Sequence, residues 1–160
     1  NDTEVINLRP KIALYQPDIP QNTAAIIRTC SCLGADLEII EPCGFLFTDK
    51  RFKRVVMDYM DKEIIKFYQN SDEFFKSKKY QRVILMTTKS SKSYINFKFK
   101  IDDTLLFGRE SAGVSENIHN LIKHKLKIPM INNKRSLNIA SSVAIILSEN
   151  LRQTNFTNNG

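Results

Sequence analysis

The chain has 160 residues, of which 42% are hydrophobic, and this is the length and apolar content of one compact domain with a full core. Its 24 Lys and Arg against 17 Asp and Glu give a net charge of +7, which favours anionic partners. The first residues have no apolar run behind a basic start, and nowhere do about 18 uncharged apolar residues follow one another. We therefore expect no secretion signal, no membrane span and a cytoplasmic location.

The first part of the chain alternates strand, helix and strand. The patterns predict a strand at Lys11 to Tyr15, a helix from about Gln21 to Leu33 that Gly34 ends, and a strand at Leu37 to Ile40. This order favours a parallel sheet covered by helices, which is the α/β class. We expect a single domain over residues 1–160, with an ordered core at about 11–153 and a polar, disordered tail from Asn155 onwards.

The middle of the chain carries most of the excess positive charge. From Lys50 to Lys100 there are 14 Lys and Arg against 5 Asp and Glu. Four of these cations crowd the first two turns of a helix predicted at Asp49 to Asp61, where the helix dipole prefers acids; they are Lys50, Arg51, Lys53 and Arg54. Such a cluster indicates either an external polyanion or a solvated surface, and charge alone leaves both interpretations open.

The second half of the chain continues the alternation of strands and helices. The final element is a long helix predicted to begin after Ser136 as its N-cap, with apolar residues at helical spacing. The elements predicted before it are a strand at Ile64 to Phe67, a helix at Asp72 to Lys79, strands at Arg82 to Thr88 and Thr104 to Phe107, a helix at Ser115 to Ile122 and a strand at Lys125 to Ile128.

The cysteines and histidines are too few for common metal or triad chemistry. Three cysteines, Cys30, Cys32 and Cys43, cannot all pair, and Cys30-x-Cys32 lacks the second ligand pair of a zinc site. The histidines are His119 and His124. We therefore expect reduced thiols, no bound metal and no Ser-His-Asp triad.

Polar residues in the first predicted helix form one candidate site. Asn22 and Arg28 are six residues apart, which turns a helix by about 240° beyond one full turn, so the two side chains do not share a face. Asn22 belongs to the turn that opens the helix. Arg28 stands in an apolar stretch and calls for an anionic partner, which is either an acid on a neighbouring helix or a substrate.

Two later segments have polar or flexible residues at predicted strand ends, where open α/β sheets bind ligands. Gly108 and Gly113 flank a turn that matches neither a P-loop nor a dinucleotide fingerprint, and taken alone it is an ordinary tight turn. Ser136 and Asn138 place a hydroxyl and an amide at a helix N-terminus, a position that suits a carboxylate or phosphate. An N-cap role explains Ser136 fully and Asn138 less well.

Taken together, these segments resemble the three motifs of the knotted SPOUT RNA methyltransferases. The similarity is greatest to the small single-domain enzymes that methylate the ribose of the tRNA wobble nucleotide, and it spans about Lys11 to Arg152. The stretches that carry it are Tyr15 to Thr23 with Arg28, Ile40 to Phe45, Asp49 to Arg51, Asp58-Tyr59, Thr87 to Lys89, the Gly108-x-Glu110-x-x-Gly113 turn, Ile128 to Met130, and Ser136 to Asn138.

The resemblance implies a parallel-sheet fold with a deep C-terminal trefoil knot, helices on both faces and a homodimer packed through its first and last helices. It implies S-adenosylmethionine as methyl donor, with S-adenosylhomocysteine as product. The donor is expected to contact Met86, Thr87, Gly108, Glu110, Gly113, Ile128, Met130, Ser136 and Asn138. Arg28, Asn22, Glu110 and Asn138 are the expected catalytic residues, in a crevice built from both chains.

The same resemblance implies that the anticodon stem-loop of tRNA is the partner. The expected RNA-binding residues are Lys50, Arg51, Lys53, Arg54, Lys89 and Arg109. Arg109 and Ser111 depart from the pattern, since this branch commonly has Pro and Thr there, and Arg109 makes the turn more cationic. Two alternatives stay open: a 2′-O-methyltransferase of the same fold that acts on rRNA or another tRNA position, and a dimeric RNA-binding module without catalysis.

Overall fold

The structure is a computed structural model, and it describes residues 8–56, 65–132 and 136–154. Within these residues the chain forms strands and helices in alternation, with a 3-10 turn at Tyr94–Asn96. The strands are β1 (Lys11–Tyr15), β2 (Asp36–Ile40), β3 (Ile65–Tyr68), β4 (Val83–Met86), β5 (Thr104–Phe107) and β6 (His124–Leu126). The helices are α1 (Pro20–Leu33), α2 (Lys50–Val56), α3 (Ser71–Ser77), α4 (Glu116–Leu121) and α5 (Ile139–Thr154).

The strands form one parallel sheet in the order β3-β2-β1-β5-β4-β6. β1 and β5 lie side by side at its centre, and all four residues of β5 are buried. Continuous apolar runs of this kind are typical of parallel strands that are covered on both faces. The α/β class predicted from the sequence is confirmed.

Alternate residues of the strands enter two separate hydrophobic clusters. Ile12 and Leu14 of β1 belong to the larger cluster, which also contains buried side chains of α1 and α5. Ala13 belongs to the smaller cluster, with side chains of α3 and α4. This division follows from the two-residue period of a strand, which sends successive side chains to opposite faces of the sheet.

Several predicted boundaries agree with the structure. β1 and β5 have the predicted limits, and α1 ends before Gly34, whose φ of 81° lies in the left-handed region that glycine adopts without strain. The helix predicted at Asp49 to Asp61 is described from Lys50 to Val56. Residues 57–61, with the Asp58-Tyr59 motif, and the tail from Asn155 lie outside the described residues.

Three predictions near the cavity described below were wrong. α5 begins at Ile139, so Ser136 is not its N-cap; Asn138 is, because its Oδ1 accepts the backbone N–H of Ala140 at 2.8 Å. β4 ends at Met86 and β6 at Leu126, short of the predicted ends. These two residues pair in the parallel register, so both strands end together and release their loops at the same edge.

Within the described stretches, none of the helices combines the length and the hydropathy needed to traverse a bilayer. No group of three or more His, Cys, Asp or Glu among the described residues is placed to hold a metal ion. Cys30, Cys32 and Cys43 are free thiols in the structure, and Cys30 is buried.

Candidate functional site

A cavity of about 520 Å³ lies at the carboxyl edge of β4, β5 and β6. These three strands are neighbours in the sheet, so the loops that follow them meet at one place. The first residues of α1 and α5 close the remaining sides. The volume falls in the range of about 300–1,000 Å³ that is typical of small-molecule sites.

The cavity gathers residues from all three segments that the sequence singled out. Every residue expected to contact a methyl donor lines it: Met86, Thr87, Gly108, Glu110, Gly113, Ile128, Met130, Ser136 and Asn138. Asn22, Lys89 and Arg109 line it as well. Segments that lie far apart in the chain thus form one concave surface.

Some residues that line the cavity were not predicted from the sequence. Thr88 directly follows a predicted residue, and Ser142 lies one helical turn after Asn138, so helix periodicity signalled it. His119 comes from α4, and nothing in its sequence neighbourhood indicates that it reaches this cavity.

The glycine turn after β5 is closed by its own backbone. Arg109 and Gly113 exchange two hydrogen bonds, N–H to O, of 3.0 and 2.9 Å. A Cβ on Gly108 would lie 2.6 Å from the Cα of Gly113, closer than real side chains come. Gly108 is therefore required by this close approach and not merely tolerated.

Asp18 connects the glycine turn to the loop that precedes α1. The backbone N–H of Asp18 donates to Glu110 Oε2 at 3.1 Å, and Ser111 Oγ donates to Asp18 Oδ2 at 2.5 Å. The Arg109 guanidinium lies 3.7 Å from the same Asp18 oxygen. The two departures from the family pattern, Arg109 and Ser111, thus share one partner. Sequence reasoning quoted Asp18 within a motif but gave it no role.

The two carboxyl groups at this junction titrate in opposite directions. Burial and the neighbouring Asp18 carboxyl raise the pKa of Glu110. A hydrogen bond from the Glu110 carboxyl group to the Asp18 carboxylate, aided by Ser111 and Arg109, lowers the pKa of Asp18. Asp18 is therefore the anion of the pair, and Glu110 is the group that holds a proton more readily. Oε1 of Glu110 and Oδ1 of Asp18 are both buried and have no other hydrogen-bond partner among the described residues.

Asn138 links the two helix starts across the cavity. Its Nδ2 donates to Asn22 Oδ1 at 2.9 Å, while its Oδ1 caps α5. An amide can do both because it carries a donor and an acceptor at the same end of the side chain. The expected catalytic residues Asn22 and Asn138 are thereby held together.

The model of the SpoU rRNA methylase family matches residues 9–148, which is most of the chain and includes every loop of this cavity. The chain belongs to the SpoU rRNA methylase family. The resemblance to RNA methyltransferases that the motifs predicted is confirmed.

Relatives from two bacteria extend over nearly the whole chain, and each is named tRNA (cytidine(34)-2′-O)-methyltransferase. The protein of Beijerinckia indica is 44% identical over 89% of this chain and 90% of its own length. That of Escherichia coli K12 is 34% identical over 91% of this chain and 94% of its own length.

Solved structures of RNA methyltransferases are similar to this chain in fold. A structure described in terms of 2-OH methylation of C/U34 on tRNA has a TM-score of 0.86 and 34% identity, covering 92% of this chain and 97% of its own. An AdoMet-bound rRNA methyltransferase from Sinorhizobium meliloti has a TM-score of 0.81 over 90% of this chain and 56% of its own. At 24% identity, the second likeness shows the SpoU fold alone.

The remaining expected site residues of this SpoU protein lie away from the cavity. Arg28 is on the exposed stripe of α1, with Gln21, Ala25 and Cys32 at helical spacing, and it is not among the described residues that line the cavity of its own chain. The basic residues of α2 are also exposed at Lys50, Lys53 and Arg54, while the side chain of Arg51 lies outside the described part.

Proposed function

We propose that this protein methylates the ribose 2′-hydroxyl of the wobble nucleotide in the anticodon loop of tRNA, with S-adenosylmethionine as the methyl donor. One observation carries the proposal: the loops of β4, β5 and β6 gather all nine residues expected at the donor into one cavity. Relatives that carry this activity in their names match the chain over nearly its full length. A tRNA substrate would place the enzyme in the cytoplasm.

The cavity suits a donor of this kind. Its walls combine apolar side chains, such as Ile128 and Met130, with the backbone of the glycine turn. An apolar wall can hold an adenine ring, and the polar groups of the turn can bind the polar part of the donor. When bound, S-adenosylmethionine supplies an electrophilic methyl group on a positively charged sulfur.

The residues of the chain would act mainly by position. Transfer to a hydroxyl needs the attacking oxygen in line with the methyl carbon and the departing sulfur, so holding the ribose in place supplies much of the acceleration. A guanidinium group stays protonated in proteins and is a poor general base, so Arg28 is not assigned to take the ribose proton. We assign it to orienting the acceptor nucleotide and stabilising negative charge on the ribose oxygen, with the proton passing to a phosphate or water.

Arg28 would serve the cavity of a second copy of the chain. Its position on the exposed stripe of α1 supports a homodimer in which the first and last helices form the interface and each crevice draws on both chains. The expected C-terminal knot would involve the loops that line the cavity. The division of core residues between α1 and α5 on one side and α3 and α4 on the other supports helices on both faces of the sheet.

An rRNA substrate is the second candidate, and the family description favours it. The near full-length relatives named for tRNA favour the first candidate. The two differ in a measurable way, because an rRNA enzyme would leave tRNA unlabelled.

The test is to incubate purified protein and labelled S-adenosylmethionine with total RNA from cells that lack the enzyme, and to map the labelled nucleotide. We expect a single 2′-O-methyl at position 34. Label in rRNA alone, or at another tRNA position, would overturn the assignment. If calorimetry showed tRNA binding without any binding of S-adenosylmethionine, the protein would be an RNA-binding module.

The role of Arg28 is tested by an Arg28→Lys variant, which keeps the charge and loses the planar fork of donors. We expect kcat to fall while tRNA affinity changes little. Full turnover in this variant would contradict the orienting role.

A further inference from the structure

A second cavity, of about 300 Å³, lies beside the first at the β6 edge of the sheet. The loop after β4 forms one side of it, and β6 with the residue before it forms another. Lys89 and His119 line both cavities, so the two are contiguous.

The lining of this second cavity is strongly cationic. Its basic side chains are Lys89, Lys92, Lys123, Lys125, His119 and His124, and none of its described lining residues is an Asp or Glu. Concave surfaces lined by one sign of charge concentrate counterions, so basic side chains on each wall would attract a bound anion. None of the residues beyond Lys89 was predicted to bind RNA.

Two of these lysines are exposed and line the second cavity alone, whereas Lys89 is exposed and lines both cavities. Lys125 is engaged in the fold, since its Nζ donates to the backbone oxygens of His119 and Ile122 at 3.0 and 2.9 Å. Lys92 and Lys123 are both exposed, and Lys92 Nζ lies 5.4 Å from the centre of the Phe97 ring.

Backbone hydrogen bonds fix the loop that carries Lys92 to the opposite wall. The backbone N–H of Lys127 donates to the oxygen of Lys92 at 2.8 Å, and Ser90 Oγ donates to the oxygen of Lys125 at 2.7 Å. The N–H of Lys92 in turn donates to Ser90 Oγ at 3.0 Å. The walls are therefore already in place, and a ligand would not have to order the loop.

The pKa of His124 responds to the positive charges around this cavity. Its pKa is lowered by burial and by the charges of Arg82, Lys123 and Lys92, which Asp103 only partly opposes. A bound anion would counter those charges and favour the protonated imidazole.

We propose that the second cavity binds a backbone phosphate of the RNA substrate close to the nucleotide that is methylated. This inference rests on the proposed function, because the contiguity with the first cavity is what links the phosphate to the acceptor nucleotide. A volume of about 300 Å³ is at the lower end for ligand sites, which suits a phosphate and its sugar better than a second cofactor.

The experiment compares the double variant Lys92→Ala, Lys123→Ala with the unmodified enzyme. tRNA affinity is measured at several salt concentrations and S-adenosylmethionine affinity in parallel. Each lost phosphate contact lowers the slope of log affinity against log salt, so loss of the one proposed contact should reduce the slope by about 0.7–0.9. S-adenosylmethionine affinity should stay unchanged, which also verifies that the variant is folded.

The matched control is Lys76→Ala, Lys79→Ala, which removes the same charge from exposed positions at the end of α3. This helix packs on β3, at the opposite edge of the sheet. The control should retain the salt dependence of the unmodified enzyme. Equal slopes for all three proteins, or equal losses in both variants, would overturn the proposal.

A second measurement needs no substitution in the cavity. The His124 ring is followed by NMR while tRNA or inorganic phosphate is added to the intact protein. A rise of the His124 pKa with tRNA supports the RNA assignment; a response to phosphate without a response to bound tRNA overturns it, because the site would then serve a free anion. Methylation at position 34 could be found while neither the salt dependence of tRNA affinity nor the His124 pKa changes as expected. The phosphate site would then be wrong and the proposed function would stand.

Discussion

At the scale of single residues, burial decides how each ionisable group behaves. Cys30 has no solvent exposure, and burial raises the pKa of its thiol to about 12. Cys43 is half-buried, and its pKa rises to about 11 for the same reason, aided by Glu41. Thiolates are the reactive form, so both groups are protected at neutral pH.

We predict that iodoacetamide leaves Cys30 unmodified in the folded protein and modifies it after unfolding in guanidinium. The Cys32→Ser, Cys43→Ser variant isolates this thiol, and mass spectrometry counts the added groups. Rapid labelling of Cys30 in native buffer would show that the larger hydrophobic cluster opens more readily than its burial implies.

His124 gives a pH dependence whose sign can be worked out. The unfolded chain takes up a proton on this residue at pH about 6.5, whereas the folded protein resists it because the pKa of His124 is lowered. The free energy of unfolding should therefore fall as the pH is lowered through 6.5 and below. A His124→Gln variant should show a flatter decline in urea titrations than the unmodified protein, and His119→Gln is the matched control. If the free energy of unfolding of the His124→Gln variant fell as steeply with pH as that of the unmodified protein, His124 would not be the cause of this pH dependence.

At the scale of elements, the glycine turn after β5 depends on a close backbone approach. We predict that Gly108→Ala sharply weakens S-adenosylmethionine binding, because the added Cβ forces the turn away from Gly113. Gly34→Ala is the control: it meets no neighbour within 4 Å but sits at a φ of 81°, so it should cost about 1–2 kcal/mol of stability and leave donor affinity intact. Calorimetry and thermal unfolding separate the two effects.

The basic helix α2 makes a separate prediction. Replacing Lys50, Lys53 and Arg54 by Ala should weaken tRNA binding and flatten its salt dependence, while the affinity for S-adenosylmethionine is unaffected. Filter binding across a salt series measures the first effect and calorimetry the second. Parallel loss of both affinities would indicate a folding defect, and loss of neither would favour the solvated-surface interpretation.

At the scale of the whole molecule, the order of the strands brings distant parts of the chain together. β6 lies beside β4, and β5 lies between β4 and β1, so the start of α1 and the start of α5 face one cavity. The hydrogen bond between Asn22 and Asn138 spans most of the sequence. Arg28 is left on the outside of its own chain's cavity.

A shared crevice predicts complementation between two inactive variants. An Arg28→Ala chain and a Gly108→Ala chain should each be inactive, yet reassembled from an equal mixture they should regain about a quarter of the unmodified sites, because each mixed dimer contains one intact site. Methylation of tRNA measures the recovery. No recovery, with mixed dimers verified by mass, would mean that Arg28 acts within its own chain.

Local patterns in the sequence determined the α/β class, the limits of β1 and β5, and the end of α1 at Gly34, because periodicity and glycine act over a few residues. The motifs also identified residues that line the cavity, including Gly108, Glu110 and Asn138.

Only the tertiary structure decided which residue caps α5, that Asp18 holds the glycine turn, and that His119 reaches the cavity. It also placed Lys92 and Lys123 around a second cavity. Each of these depends on contacts between segments that lie far apart in the chain, and the strand order that creates such contacts leaves no local signal in the sequence.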